Sequence, residues 1–134
     1  MNTTGNTILI TGGGSGIGRG VAQAFHALGN RVIIAGRRKQ ALDETTKANP
    51  GMKSLAVDML DPESIRSFAA KAMAEFPSVD VLINNAGIMR PEKLLAQQPD
   101  LADAEAIVAT NLLGLFGLPR HCCLTCRSSH MRRS

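Results

Sequence analysis

The sequence contains no tryptophan and no tyrosine, and phenylalanine occurs only four times. A chain without tyrosine has no phenol to offer as a general acid. Cysteine is almost as scarce, with Cys122, Cys123 and Cys126 confined to five consecutive residues, a spacing that cannot staple a fold and so excludes a disulfide framework. No run approaches the ~20 apolar residues that a membrane-spanning helix needs, and no basic segment followed by a signal-type apolar stretch opens the chain. These absences lead us to expect a soluble, intracellular and cytoplasmic protein with no membrane partner. An excess of one charge is missing from most of the chain as well. The formal charge of +4 comes from Arg120, Arg127, Arg132 and Arg133, because residues 1–118 carry eleven basic and eleven acidic side chains. A neutral body gives no electrostatic reason to expect nucleic acid.

What is present is an alternation. At 134 residues the chain is long enough for one domain with a real core and too short for two. Four β-prone runs can be placed, at residues 7–11, 31–35, 53–57 and 79–83. Between them, Ile17, Val21, Phe25 and Leu28 fall on one helical face, as do Ile65, Phe68, Ala72 and Phe76. The second of these helices is introduced by Asp61 and Pro62, a capping side chain followed by proline at the first helical position. A further helix is expected from Leu101 to Leu118, ended by Pro119. Strands alternating with helices imply βαβ units and a parallel sheet covered on both faces. The texture changes at residue 119, so we read residues 1–118 as one unit and residues 119–134 as an irregular basic tail.

Thr11-Gly12-Gly13-Gly14-Ser15-Gly16-Ile17-Gly18 follows a strand directly and opens a helix. Glycines in that context let the backbone turn tightly and approach a pyrophosphate, while the free N–H groups at the helix start attract its charge. A P-loop would continue with lysine and a hydroxyl residue, but here Gly18 is followed by Arg19-Gly20. No register of the run gives G-x-G-x-x-G either. The pattern that fits is T-G-x-x-x-G-x-G, and with it the chain resembles the classical short-chain dehydrogenase/reductase family. Asp58, followed by Met59 after the third strand, resembles the family aspartate at the adenine ring. Asn84-Asn85-Ala86-Gly87 after the fourth strand matches the family's N-N-A-G, and Asn111, on a helical face with Ile107 and Leu115, matches its helical asparagine. Taken alone, Asp58 also reads as a strand-end turn residue and Asn84-Asn85 as a turn signal. Four features in register, over residues 5 to about 115, outweigh those readings. Within the family the texture resembles the DltE-like branch.

The resemblance implies a doubly wound α/β sheet of Rossmann type, truncated, with strand order 3-2-1-4. It implies a nicotinamide dinucleotide held by Gly12, Ser15, Gly16, Ile17 and Gly18 at the pyrophosphate and ribose, by Asp58 and Met59 at the adenine, and by Asn85, Ala86 and Gly87 along the cofactor. Asn111 is then the one matched member of the catalytic set, which in the family holds a water that relays protons to the catalytic lysine. At the end of the second strand an NAD enzyme places a carboxylate for the ribose hydroxyls. Here the sequence reads Ala35-Gly36-Arg37-Arg38-Lys39. Arg37 and Arg38 are suited to the 2′-phosphate of NADP through charge-assisted hydrogen bonds, so NADP is expected over NAD. The other reading of the two arginines is a solvated basic helix start.

Family members move hydride between nicotinamide and a carbonyl or alcohol, with a serine, a tyrosine and a lysine at the reacting oxygen, the last two in Y-x-x-x-K. This chain has no tyrosine, and no lysine follows Lys93. We therefore expect the chain to be truncated and inactive by itself, with a non-catalytic NAD(P)-binding module as the alternative; the intact form is expected to be a homo-oligomer. His121, Cys122, Cys123, Cys126 and His130 include one C-x-x-C, but the second pair of a zinc finger is missing and we assign no metal site. A disordered basic tail is one reading of this segment. Translation out of frame is another. In the frame two nucleotides along, the codons of His121-Cys122-Cys123 necessarily read Leu-Leu, and permitted codons around them yield an amphipathic helix of the kind the family has there.

Overall fold

The computed structural model describes residues 3–88. Strands β1 (Thr7–Thr11), β2 (Arg31–Gly36), β3 (Lys53–Ala56) and β4 (Val81–Asn84) form one parallel sheet in the order β3-β2-β1-β4. Helices α1 (Gly16–Ala27), α2 (Lys39–Ala48) and α3 (Pro62–Glu75) connect them in turn. The expected helix at 101–118 and the tail at 119–134 lie outside the described residues.

Both faces of the sheet are apolar, which is why β1 and β2 read as continuous hydrophobic runs rather than as alternating ones. Ile8 and Ile10 of β1 join Val32 and Ile34 of β2 in a core with Ala22, Leu42 and Met52, on the side of α1 and α2. Leu9, Ile33 and Ala35 point the opposite way and pack with Leu55, Val57, Ile65, Phe68 and Ala72 beneath α3. Register is correspondingly strict, since a slip of one residue would exchange the two sets. The chain runs from β1 outward through β2 to β3, then returns to the other side of β1 as β4. That reversal opens a crevice at the carboxyl ends of β1 and β4, where open α/β sheets bind ligands.

The α3 face and its start agree with expectation. Phe76 caps the helix and packs on the core, and the Asp61 carboxylate accepts a hydrogen bond of 3.0 Å from the Glu63 N–H. The α1 face agrees at Val21 and Phe25, which pack on the sheet. Ile17 and Leu28 instead are 80% and 51% exposed, and Gly18 and Ala22 complete the inner face. Small residues bring this helix close to the sheet, so counting large apolar side chains misplaced the two ends of that face. Helix α2 escaped a periodicity reading because it buries little beyond Leu42 and Thr45. Strand β4 begins two residues later than expected, because Asp80 caps the strand end: its N–H donates to Thr7 O and its carboxylate accepts from Thr7 N–H, each at 2.9 Å.

Since Phe68 is buried at the centre of the α3 core, Phe68→Ala is expected to lower stability by about 3–5 kcal/mol. Urea denaturation measures this; a loss below about 1 kcal/mol would contradict the packing described.

Candidate functional site

The site begins at the last residue of β1. Thr11 is fully buried, and its hydroxyl oxygen accepts hydrogen bonds of 3.1 Å from both the Asn85 and Ala86 N–H groups. One side chain thus fastens the segment after β4 to the end of β1. The chain then turns through Gly12, whose φ of +71° is a conformation that L side chains rarely adopt, and the Gly12 N–H donates to Ala35 O of β2 at 2.7 Å. Gly13 lies against Ile34 so closely that a Cβ would sit 2.5 Å from its Cγ2. The loop is therefore pressed between β2 and the residues following β4, and only glycine fits that gap.

Ser15 is the N-cap of α1 by position, yet its hydroxyl makes no capping bond. It accepts a hydrogen bond of 2.7 Å from Arg38 Nη2 instead. The N–H groups of Gly16, Ile17 and Gly18 have no acceptor among the described residues. Arg38 is itself the N-cap of α2, again without a side-chain cap, and neither α1 nor α2 carries an acidic residue in its first turn. Two positive helix ends and an arginine pair thus face one region with no protein carboxylate at either helix start. An anion is the partner this arrangement lacks.

That region is a cleft of about 450 Å³. Of the residues singled out from sequence, Gly12, Ser15, Ile17, Arg37, Arg38, Asp58, Met59, Asn85, Ala86 and Gly87 all line it. Gly16 and Gly18 do not. Gly16, at φ +53°, forms the exposed start of α1, whereas Gly18 is buried, where a Cβ would lie 2.3 Å from both Asn85 Nδ2 and Gly12 O. Gly18 serves the site by close packing rather than by lining the cleft. The Met59 side chain is only 7% exposed and belongs to the α3 core. Asp58 is held in a turn, its Oδ1 accepting from Leu60 N–H at 3.0 Å and its N–H donating to Ser64 Oγ at 2.9 Å. Asn111 lies outside the described residues.

Sequence reasoning missed Thr11 as the fastener of the two strand ends, although it opens the glycine motif. It also missed Leu60, Ala41 and Ile88 as wall residues. Nothing in their local sequence marks them, because they reach the cleft only through the packing of α2, α3 and β4.

A parallel sheet with its glycine turn at the strand-order reversal, a cleft there and helix starts facing it define a doubly wound α/β unit of Rossmann type. The family model described as short chain dehydrogenase matches residues 6–128. Solved structures agree: a short-chain dehydrogenase from Streptomyces avermitilis superposes with a TM-score of 0.80 at 31% identity, covering 92% of this chain and 45% of that one. A chain described as a short chain dehydrogenase/reductase family protein superposes with a TM-score of 0.78 at 32% identity, over 93% of this chain and 51% of that one. The protein belongs to the short-chain dehydrogenase/reductase family, whose members are oxidoreductases that use nicotinamide cofactors. Among curated relatives, 3-oxoacyl-[acyl-carrier-protein] reductase FabG of Escherichia coli is 37% identical over 123 residues, 90% of this chain and 49% of the relative. Uncharacterized oxidoreductase DltE of Bacillus subtilis is 40% identical over 90 residues, 67% of this chain and 36% of the relative. The chain thus spans half the length, or less, of the curated relatives it matches.

Two glycines in α1 make a test with opposite signs. Gly18→Ala is expected to destabilise by about 1–3 kcal/mol, because Gly12 O cannot move away from the new methyl. Gly20→Ala meets nothing within 4 Å and is expected to stabilise the helix by about 0.5–1 kcal/mol. Thermal unfolding of both variants measures the difference; equal shifts would contradict the close approach of α1 to the Asn85 segment.

Proposed function

We propose that this chain holds NADP(H) in the cleft at the carboxyl ends of β1 and β4, as the cofactor-binding half of a short-chain oxidoreductase. The observation that carries the reading is the end of β2, where Gly36, Arg37 and Arg38 line the cleft and no carboxylate stands to receive the ribose hydroxyls of NAD. The group fits the residues present. Gly12 and Gly14 leave the cleft wall bare of side chains, the free N–H groups of the α1 start suit a pyrophosphate, and a planar guanidinium suits a 2′-phosphate. In this reading Gly12, Ser15, Gly16 and Ile17 hold the pyrophosphate and ribose, with Gly18 allowing their approach. Asp58 and the Met59 backbone border the adenine, and Asn85, Ala86 and Gly87 run along the cofactor.

When bound, the nicotinamide gives a hydride to a carbonyl carbon or takes one from an alcohol. The residues of this chain bind and orient it. The tyrosine of Y-x-x-x-K is not among the 134 residues, and Lys93 is the last lysine. Hydride transfer on a small carbonyl or alcohol substrate, Asn111 as part of its proton relay and assembly as a homo-oligomer are accordingly proposed for a protein that carries the other half as well. For these residues alone, a cofactor-binding module without turnover is the reading that the missing tyrosine favours.

Arg37→Glu tests the cofactor assignment. Reversing the charge is expected to weaken NADPH at least tenfold more than NADH, on the order of the 1.4 kcal/mol or more that a charge-assisted phosphate contact contributes. Fluorescence titration with both dinucleotides measures this, and equal losses would overturn the preference for NADP.

A further inference from the structure

The two arginines at the end of β2 lie in different settings. Arg37 lines the cleft and has no hydrogen-bond partner among the described residues. Arg38 is engaged: its Nη2 donates to Ser15 Oγ at 2.7 Å, across 23 residues of sequence. Ser15 is the N-cap of α1 and Arg38 the N-cap of α2, and neither makes a side-chain capping bond to its own helix. The bond therefore ties the starts of two helices that open on the same cleft. Arg38 also accepts the first bond of its own helix, from Leu42 N–H at 3.2 Å, and Leu42 is buried in the core below. The arginine is thus anchored at its backbone and reaches the loop with its guanidinium.

We propose that Arg38 is a positioning residue for the phosphate loop, and that the two arginines divide the work: Arg37 discriminates the adenosine phosphate, while Arg38 holds Ser15 and the start of α1 in place for the pyrophosphate common to NAD and NADP. The inference rests on the dinucleotide reading above and refines it. A guanidinium is suited to the task because one N–H can stay on Ser15 while the others remain free. The bond is exposed to solvent, so its effect on overall stability is small. Its effect on the loop is local, because the stretch from Gly14 to Ile17 is exposed or half-exposed and has few other ties.

Binding of NADPH and NADH to the full 134-residue chain tests the division in a double-mutant cycle with Arg38→Ala and Ser15→Ala. Arg38→Ala is expected to weaken both dinucleotides by the same factor, about three- to tenfold, as loss of a charge-assisted but solvent-exposed hydrogen bond implies. It is expected to have no further effect where Ser15 is already alanine. Arg38→Lys keeps a charge and a donor, and should recover part of the loss in the Ser15 chain and none in the Ser15→Ala chain. A loss confined to NADPH would make Arg38 a second 2′-phosphate ligand and overturn the division. Equal losses in both serine backgrounds would place Arg38 on the ligand directly and overturn the positioning role. Backbone ¹⁵N relaxation without nucleotide gives an independent reading: the amide order parameters of Gly14 to Gly18 should fall in Arg38→Ala, with the unfolding temperature unchanged. Unaltered order parameters would overturn the tether even if no dinucleotide bound, whereas absent binding with lowered order parameters would overturn the dinucleotide reading and leave the tether standing.

Discussion

Between Thr11 and Gly16 the backbone leaves a fully buried strand and enters a helix, and there is almost no space in which to do it. Gly12 takes a positive φ beneath Ala86, Gly13 rests on Ile34, and Gly18 lies against Gly12 O and Asn85. Side chains at these positions would push α1 off the sheet or the Asn85 segment away from β1. The Thr11 hydroxyl closes the same junction from below by accepting two N–H groups. Core packing on that face, the position of α1 and the presence of a cleft all depend on this close approach.

The electrostatics follow from the same geometry. Once α1 starts at the carboxyl end of β1, its unpaired N–H groups face outward into the crevice made by the reversal of strand order. The start of α2 faces there too, brought close by the pairing of β2 with β1 and tied by Arg38 to Ser15. Neither helix spends a carboxylate on its own first turn. An acidic residue there would offset the positive end of the dipole, as Glu63 does in α3. Leaving both ends uncompensated beside two arginines is a cost to the protein alone, one that the proposed phosphorylated ligand would offset.

Much of this was legible from sequence because the central strands are apolar on both faces and the glycine motif sits between a strand and a helix. Strand order and most wall residues followed from recognising the motif, since no periodicity argument brings Arg37, Asp58 and Asn85 together. What was not legible has physical causes. Helix α2 buries Leu42 and Thr45 and little else, so it offers too few apolar side chains for a periodicity to be counted. The inner face of α1 is built from Gly18 and Ala22, whose value is small size rather than hydrophobicity. Met59 lines the cleft as its motif suggested, but that its side chain also packs in the core under α3 could not be read from sequence. The bond from Arg38 to Ser15 joins residues far apart in sequence, and only tertiary structure places them together.

The central claim is that the turn after β1 and the ends of β2, β3 and β4 form one dinucleotide site. Amide chemical-shift mapping of the labelled chain during NADPH addition tests it most directly. The account predicts that the largest shifts fall together, with a single affinity, on Gly12 to Gly18, Arg37 and Arg38, Asp58 to Leu60 and Asn85 to Gly87. Shifts confined to other surfaces, or none in a folded chain at millimolar NADPH, would contradict it.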